Sequence, residues 1–478
     1  MYFYAVAKKK SIVLDEVLVE NYAAEGKSLA RRDGKVVFIE NVVPGDVVDV
    51  RLSKNKKDWA EGYPIQFHSY SKERVTPFCE HFGVCGGCQW QMLPYHLQLQ
   101  YKQQQVFDNL TRIGKVSLPE IMPIIASKED RYYRNKLEYT FSTKEYIPRV
   151  EFEAARFKET TETAGQNALG FHAKGFFDKI VNIKKCWLQP EPTNNLRNSI
   201  LEFVIKNGFT FYDFRNHTGF LRNLQVRICT TGEIMVNVVV GEDDKKHINE
   251  LLKYVQSSFP EITTLLYTIN LKKNDSLQDQ QPIIWSGNGY VIEKLEDFKF
   301  IIGPKSFFQT NTRQAEQLYE ITREFAELNG TESVYDLYCG TGSIGIFCSK
   351  KARKIIGVEL IEEAIQDAKK NAAINSISHA EFITGDVIDV CNDDFFQAHG
   401  NPDVIITDPP RAGMHEKLVR KILDMKAPVV VYVSCNPATQ ARDLAILDEL
   451  YEVTKVQPVD MFPHTHHIEN VVQLKKRN

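Results

Sequence analysis

The sequence predicts an α/β protein of three regions, in which a doubly wound parallel sheet follows a small β-barrel and a mixed middle region. Three observations support this prediction. From about residue 301 to residue 478, apolar strand patterns alternate with helical patterns, which is typical of βαβ units. Residues from about 11 to 67 contain short β-branched runs separated by turn residues, whereas the region between mixes strands with polar connections.

Length and composition are those of a globular chain with several domains. The chain has 478 residues, of which 43% are hydrophobic and 25% charged, and a net charge of −3. We predict domains at residues 1–72, 73–300 and 301–478. No apolar run approaches the ~20 residues needed to cross a bilayer, and residues 1–10 lack the pattern of a signal peptide. We therefore expect a cytoplasmic, monomeric protein, and the net charge shows that the chain as a whole is not a polycation.

The first region suits a barrel of the oligonucleotide-binding type. Strand patterns lie at residues 12–14, 17–19, 36–39 and 47–52, with turn signals at Asp33-Gly34 and at residues 44–46. The basic residues between 51 and 57 are followed by Trp59. This combination suits contact with a nucleic acid, and it equally suits an ordinary solvated surface.

Cys435 is the first candidate for chemistry. It follows the apolar run 429–433, and Asp408 follows a similar run at 404–407. Ligands of open parallel sheets bind beyond the carboxyl ends of the strands, so a thiol at this position is a candidate nucleophile. A free cysteine is more commonly a small core residue, which we expect for Cys229, Cys348 and Cys391.

A glycine-rich loop predicts a nucleotide-like ligand. Gly340, Gly342 and Gly345 follow a predicted strand and open a helix, and Glu359 ends the next strand. This spacing satisfies the dinucleotide fingerprint, which is weak evidence by itself.

Three acidic residues favour S-adenosylmethionine over a nicotinamide dinucleotide. Asp336 precedes the glycines, where a carboxylate repels pyrophosphate and attracts a cationic amine. Asp386 follows the third strand and suits an adenine amino group, and Asp408 follows the fourth strand. We therefore predict that Asp336, Gly340 and Gly342, together with Asp386 and Asp408, bind the methyl donor.

Four cysteines form a candidate metal site. Cys79, Cys85 and Cys88 lie in a glycine-rich loop, and Cys186 lies far downstream. Four thiolates suit zinc or an iron–sulfur cluster. A zinc ribbon has two Cys-x-x-Cys pairs, and Cys186 has no neighbouring cysteine, so the spacing favours [4Fe–4S] while zinc stays open. A chain of this length with nine cysteines is not typical of a disulfide framework.

Together these motifs resemble the RNA uracil-C5 methyltransferases, in particular the branch that modifies 23S ribosomal RNA. The resemblance extends over nearly the whole chain and includes an N-terminal module like a TRAM domain. The matching motifs are the four cysteines, Phe307-Phe308-Gln309-Thr310-Asn311, Asp336-Leu337-Tyr338-Cys339-Gly340, Asp408-Pro409-Pro410-Arg411, Ser434-Cys435-Asn436-Pro437 and His467-Ile468-Glu469.

The resemblance implies roles for particular residues. It implies a Rossmann-like methyltransferase domain, a [4Fe–4S] cluster on the four cysteines, Cys435 as the nucleophile and Glu469 as the general base. It implies that the donor contacts Gln309, Tyr338, Ser343, Glu359, Asp386 and Asp408. Tyr338 stands where the family commonly has Phe, and Ser343 where it commonly has Asn.

The expected reaction is methylation of uracil C5 in RNA, with ribosomal RNA favoured as the partner. The thiolate adds to C6, C5 takes the methyl group, and a base then removes the C5 proton. The base must be turned out of its stack, and residues 131–136 offer cations and aromatic rings that suit either RNA contact or an ordinary strand edge. A transfer-RNA methyltransferase and a non-catalytic RNA-binding assembly factor are the alternatives.

Overall fold

The computed structural model describes residues 12–148 and 166–478, which form three large sheets and one separate hairpin. The segment 151–167, expected to be an exposed insertion, lies almost entirely outside the described residues. Among the described residues, no helix is both long enough and apolar enough to cross a membrane.

The N-terminal module is a six-stranded sheet with the order β1-β5-β6-β4-β3-β2. The predicted turn at Asp33-Gly34 joins β3 to β4, and both residues have positive φ angles, 51° and 77°. Two predicted strands near the start are one strand, which a positive φ of 49° at Glu16 interrupts as a bulge. The strands are β1 (Val13–Leu18), β2 (Asn21–Tyr22), β3 (Ser28–Arg32), β4 (Lys35–Ile39), β5 (Val47–Asn55) and β6 (Trp59–Ser69).

The middle region contains a seven-stranded sheet with the order β13-β12-β11-β10-β7-β8-β9. Its strands are β7 (Lys136–Ser142), β8 (Ala168–His172), β9 (Ile180–Asn182), β10 (Leu221–Ile228), β11 (Ile234–Val240), β12 (Thr264–Ile269) and β13 (Ile283–Ser286). Within the described part of this region, three of the connections contain helices that were not predicted from the sequence. They are α1 (Tyr95–Asn109), which a π-helical turn (Leu110–Gly114) extends, α2 (Thr193–Lys206) and α3 (Lys245–Ser258).

A hairpin of β14 (Val291–Leu295) and β15 (Phe298–Ile302) leads into the C-terminal sheet. The predicted domain limit at residue 300 falls inside this hairpin, and the limits of the three domains remain predictions. The C-terminal strands are β16 (Ser333–Leu337), β17 (Lys354–Glu359), β18 (Ala380–Thr384), β19 (Val404–Thr407), β20 (Val429–Ser434), β21 (Tyr451–Val459) and β22 (Glu469–Lys476).

Seven helices accompany this sheet. They are α4 (Thr312–Phe325), α5 (Ser343–Cys348), α6 (Glu362–Ile374), α7 (Val387–Val390), α8 (Asp393–His399), α9 (Glu416–Met425) and α10 (Pro437–Leu447). Buried apolar residues on both faces of the sheet form two cores, which is the burial expected of a parallel sheet between helices.

The order of the C-terminal sheet, β18-β17-β16-β19-β20-β22-β21, fixes where a ligand binds. The strands β16 to β20 are parallel, and the final hairpin adds β22 antiparallel to β20. Strand β16 lies between β17 and β19, so the order reverses there and opens a crevice at the carboxyl ends of β16 and β19. The α/β fold predicted from the sequence, with a β-rich N-terminal module, is confirmed.

Candidate active site

Cys435 lies at the carboxyl end of β20, immediately before helix α10. Asn436 caps this helix by accepting the amide hydrogen of Ala438 at 3.2 Å, and Pro437 occupies the first turn. The thiol is half-buried. Burial first, and then the charges of Glu469 and Asp408, raise the pKa of Cys435 to about 12, although Arg411 acts in the opposite direction.

Glu469 is the first residue of β22, the strand that pairs with β20. Ser434 of β20 pairs with Asn470 of β22, so the antiparallel register sets Cys435 opposite Glu469. Only 5% of Glu469 is exposed. Burial and the nearby charge of Asp408 hold the pKa of this carboxyl well above its usual range. The nucleophile and base implied by the resemblance are therefore neighbours.

Two further carboxyl groups lie in the crevice between β16 and β19. Asp336 is fully buried, and burial raises its pKa to about 7. Its Oδ2 accepts the amide hydrogen of Gly345 at 2.9 Å, whereas Oδ1 has no hydrogen-bond partner among the described residues. Burial also raises the pKa of Asp408 to about 7. Asp336, a buried acid with one unpartnered oxygen, and the neighbouring Asp408 form a cradle suited to a cationic ligand.

The glycine loop turns sharply between β16 and α5. Tyr338, Gly340 and Gly342 have φ angles of 62°, 53° and 75°. A Cβ atom on Gly342 would lie 2.9 Å from the ring of Phe382, so both the backbone and the space require glycine there. The loop thus brings its backbone close to the crevice.

The next two acidic residues are close to this loop and already engaged. Glu359 accepts the amide hydrogens of Gly340, at 3.2 Å, and of Ile361, at 3.0 Å. Asp386 caps α7 by accepting from the amide of Ile388 at 2.9 Å. Burial, and then Asp386, raise the pKa of the half-buried Tyr338 to about 12. These residues line the part of the crevice that the sequence assigned to the donor.

Ser343 and Gln309 approach the crevice from other elements. The Ser343 hydroxyl lies 3.0 Å from the hydroxyl of Tyr319, a residue of α4 that is 2% exposed. Gln309 is nearly buried, and its backbone carbonyl accepts from the Asn135 side chain at 2.9 Å. Tyr319 was missed in the sequence because it belongs to the apolar face of an amphipathic helix. The charges of Asp408, Asp336 and Glu469 all act on it, which locates it near the centre of the site.

The turn before Glu469 is held by helix α1. Lys102 of α1 donates to Asp460 Oδ1 at 2.6 Å and to the carbonyl of Phe462 at 3.1 Å. Gln98, one turn earlier, accepts the amide hydrogen of His464 at 2.8 Å. The amide of Gln89 in turn donates to the carbonyl of His464 at 2.8 Å. Helix α1 and the cysteine-bearing loop therefore both position the segment that leads to Glu469.

The four predicted metal ligands lie in one locality. Cys85 and Cys88 pack against the core that contains Cys186, and the amide of Gly87 donates to Cys85 Sγ at 3.4 Å. Burial first, and then the charges of the other three cysteines, raise the pKa of Cys85 to about 12. Across residues 12–148 and 166–478, however, no group of three or more His, Cys, Asp or Glu side chains is arranged to hold a metal ion.

Comparison with known proteins identifies the family. A family model described as tRNA (uracil-5-)-methyltransferase matches residues 284–477. A Bacteroides thetaiotaomicron protein, named an uncharacterized RNA methyltransferase, is 51% identical over 95% of this chain and 100% of its own length. A similarly named protein of Chlorobaculum tepidum is 37% identical over 95% of both chains. The chain belongs to the RNA uracil-C5 methyltransferase family.

A solved structure of a family member covers the same extent. The Pyrococcus abyssi tRNA (uracil-54, C5)-methyltransferase, in complex with S-adenosyl-L-homocysteine, matches 96% of this chain and 100% of its own, with a TM-score of 0.73 and 27% identity. The protein is therefore an RNA methyltransferase that uses S-adenosylmethionine, as the sequence predicted, rather than a non-catalytic assembly factor.

A cation–aromatic surface of this methyltransferase lies beside the cysteines. The guanidinium of Arg131 is 4.0 Å from the ring centroid of Phe78, and Lys185 Nζ is 3.8 Å from that of Trp187. The Tyr132 ring is exposed and lies 5.8 Å from Trp187. Residues 131–135 precede β7 rather than forming its edge, so the strand-edge interpretation of this stretch applies only from Lys136 onwards.

Proposed function

We propose that this enzyme methylates C5 of a uridine in ribosomal RNA, most specifically 23S RNA, through a covalent bond between Cys435 Sγ and C6 of the base. The register that sets Cys435 opposite Glu469 is the observation that supports this proposal. A nucleophile at C6 and a base for the C5 proton serve successive steps on adjacent ring atoms, so they have to be neighbours.

Cys435 and Glu469 divide the chemistry between them. S-adenosylmethionine supplies an electrophilic methyl group on a sulfonium. Addition of the Cys435 thiolate to C6 moves an electron pair toward O4, and C5 then forms its bond to the methyl carbon as the sulfur–methyl bond breaks. Glu469 removes the C5 proton, the C5=C6 double bond re-forms, and the C6–Sγ bond breaks to release the thiolate.

The remaining site residues hold the donor in this proposal. Asp336 and Asp408 surround a position for its cationic groups, and the unpartnered Oδ1 of Asp336 is an acceptor available to one of them. The glycine loop offers a close backbone approach through Gly340 and Gly342. Gln309, Tyr338, Ser343, Glu359 and Asp386 complete the proposed donor contacts.

Transfer RNA is the second candidate substrate. The Pyrococcus abyssi relative acts on uracil 54 of tRNA, and its structure matches this chain over nearly the whole length. The cysteine set and the N-terminal sheet favour ribosomal RNA through the resemblance stated from the sequence. The two substrates require the same chemistry at Cys435.

RNA that contains 5-fluorouridine tests the chemistry and the substrate together. Without a C5 proton to remove, the methylated adduct cannot break down, so transcripts of 23S RNA and of transfer RNA should form a covalent complex that survives denaturation, the true substrate doing so faster. Cys435→Ala should form none, whereas Cys391→Ala, which changes a buried cysteine of another core, should form as much as the unaltered enzyme. A complex with Cys435→Ala would contradict the mechanism.

We also propose that Cys79, Cys85, Cys88 and Cys186 hold a [4Fe–4S] cluster. Four sulfur atoms near one another, with the Gly87 amide directed at one of them, fit such a cluster. The spacing in the sequence favours this cluster over a zinc ion, because Cys186 has no second cysteine near it. A cluster would supply a rigid cross-link between the loop and Cys186.

Metal analysis tests the cluster proposal. Protein purified without oxygen should contain about four iron and four sulfide ions per chain and little zinc. Cys186→Ser should lose the iron, and Cys229→Ser, a buried cysteine outside this group, should keep it. Zinc at one ion per chain in place of iron would overturn the proposal.

A further inference from the structure

Two cationic side chains face each other on the middle sheet. Arg227 of β10 pairs directly with Lys136 of β7, so their side chains lie on the same face. Arg227 is 3% exposed, and Lys136 is half-buried. Burial and the charge of Arg227 both lower the pKa of Lys136. Like charges directly opposite each other destabilise a sheet, and buried charges are costly without a partner.

Neither cation has an anionic partner within the described ranges. Arg227 makes a single hydrogen bond, from Nη1 to Asn135 Oδ1 at 3.2 Å, and its Nε has no partner there. Glu293 acts on Arg227 electrostatically, but its carboxylate accepts from Thr230 and, at 2.8 Å, from Thr312. Glu138, on the Lys136 strand, accepts from Gln225 at 3.0 Å.

Another arginine of the same strand shows what a satisfied site looks like. Arg222 is 1% exposed, and the two terminal nitrogens of its guanidinium donate to the carbonyls of Asn270, Lys272 and Asn274 and to Asp275 Oδ1, so that within the described residues only its Nε has no partner. The fold thus surrounds one buried arginine of β10 with acceptors and leaves Arg227 with one. The difference indicates that the missing acceptors of Arg227 come from a ligand.

The two cations line a small recess next to the active-site loop. The rest of its wall consists of Gln225, Val226, Met235, Asn237 and Pro304, and its volume of about 10 Å³ admits roughly one oxygen atom. Asn135, adjacent to Lys136, donates to the backbone carbonyl of Gln309 at 2.9 Å. An anion at the mouth of the recess would therefore lie beside the loop that carries Gln309.

We propose that Lys136 and Arg227 bind one backbone phosphate of the RNA substrate, with one phosphate oxygen inside the recess. This inference rests on the proposed function, because the RNA supplies the phosphate. A guanidinium and an ammonium provide the donors that a phosphate accepts, and its charge removes the repulsion between them. The contact fixes the strand next to the target nucleotide and carries no sequence information.

The salt dependence of RNA binding tests the site. Affinities of labelled 23S RNA and transfer RNA transcripts are measured in the Cys435→Ala background, where no covalent complex forms, from low to moderate salt. Lys136→Gln should weaken binding of the preferred transcript roughly tenfold and reduce the slope of log affinity against log salt by about 0.7, the value for one phosphate of a single strand. Lys246→Gln, an exposed residue at the start of α3, should change neither.

Two further measurements separate this site from other anion sites. S-adenosylmethionine affinity should not change in Lys136→Gln, and thermal stability of the free variant should equal or exceed that of the unaltered protein because a repulsion is removed. Arg227→Lys provides a second variant, which keeps the positive charge but replaces the planar guanidinium and its several hydrogen-bond donors with a single ammonium group.

The outcomes decide between the possibilities. An unchanged slope with Lys136→Gln, weaker donor binding alone, or stabilisation by inorganic phosphate with no effect on RNA would overturn the inference. Covalent complex formation by the unaltered enzyme is scored separately, so failure of this phosphate site and failure of the proposed reaction give different results.

Discussion

Lys102 Nζ lies 2.6 Å from Asp460 Oδ1, and neither side chain has any exposed surface. The hydroxyl of Tyr95 donates to the other carboxylate oxygen at 2.7 Å. Helix α1 therefore fixes the turn that leads into β22, on which Glu469 stands. A fully buried pair of this kind is costly to break because the remaining charge stays without a partner.

Removal of Lys102 should destabilise the protein strongly. Lys102→Met leaves the Asp460 carboxylate buried and unpaired, and we expect a loss of about 3–5 kcal/mol in the free energy of unfolding. Lys102→Met combined with Asp460→Asn should recover much of the loss. Denaturant unfolding measures both, and equal stability of the single variant and the unaltered protein would contradict this role for the pair.

Glu469→Gln should stop the reaction after methyl transfer. The amide cannot remove the C5 proton, so turnover should fall by about 10²–10⁴-fold while a covalent complex with ordinary RNA accumulates. Denaturing gels with RNA labelled by the transferred methyl group detect this complex. Glu452→Gln, an exposed carboxylate of β21, should turn over normally. Rapid turnover without accumulation would assign the base to another residue.

Binding of the donor should release protons near neutral pH. Burial raises the pKa values of Asp336 and Asp408 to about 7, and a bound cation favours their charged forms. The affinity for S-adenosylmethionine should therefore rise with pH until about 7 and then level off. Calorimetry in buffers of different ionisation enthalpy counts the protons, and Asp336→Asn should release fewer. Proton uptake on binding would contradict this electrostatic account.

The same carboxyls should make the free enzyme less stable as pH rises. Their folded pKa values lie above the usual values, so the folded state binds more protons than the unfolded state between about pH 4 and pH 7. Their stabilising contribution is complete below about pH 4 and is lost as pH rises through about 7. Asp336→Asn should flatten this part of the stability curve, which unfolding at several pH values measures.

Gly342→Ala should be more harmful than an alanine at another glycine with positive φ. The backbone strain alone costs about 1–2 kcal/mol, which Gly208→Ala measures because its φ of 70° is similar and no atom lies within 4 Å of its added Cβ. At Gly342 the Cβ also meets the Phe382 ring at 2.9 Å and Ala368 Cβ at 3.1 Å, which adds about 1–3 kcal/mol. Equal losses in thermal unfolding would show that the ring moves away freely.

The C-terminal sheet could be predicted because its strands are buried on both faces. Apolar runs then end where the strands end, and the polar residue that follows, such as Asp408 or Cys435, marks the ligand edge. The middle region lacked such a signal. Helix α1 buries Gln98 and Lys102 on the face that would be apolar in an ordinary amphipathic helix. Its packing can be understood only from its contacts with the turn at Asp460, which the sequence does not reveal.

Contacts between distant strands were also beyond prediction from the sequence. The Ser434–Asn470 register needs the tertiary position of the final hairpin, and the pairing of Arg227 with Lys136 contradicts the rule that like charges avoid each other across strands. Tyr319 was missed because an aromatic residue on the apolar face of a helix is ordinarily core. The polar contact of its hydroxyl distinguishes it from a core residue, and that contact is seen only in the folded structure.

The Lys102–Asp460 contact joins positions 358 residues apart along the chain. Contacts between such distant segments form slowly, because much of the chain has to be ordered before they are gained. Helix α1 therefore acts across the chain on the segment that leads to Glu469, whereas Cys435 is held by β20 and the helix that follows it. A substitution in helix α1 can thus disturb one side chain of the proposed pair and leave the other in place.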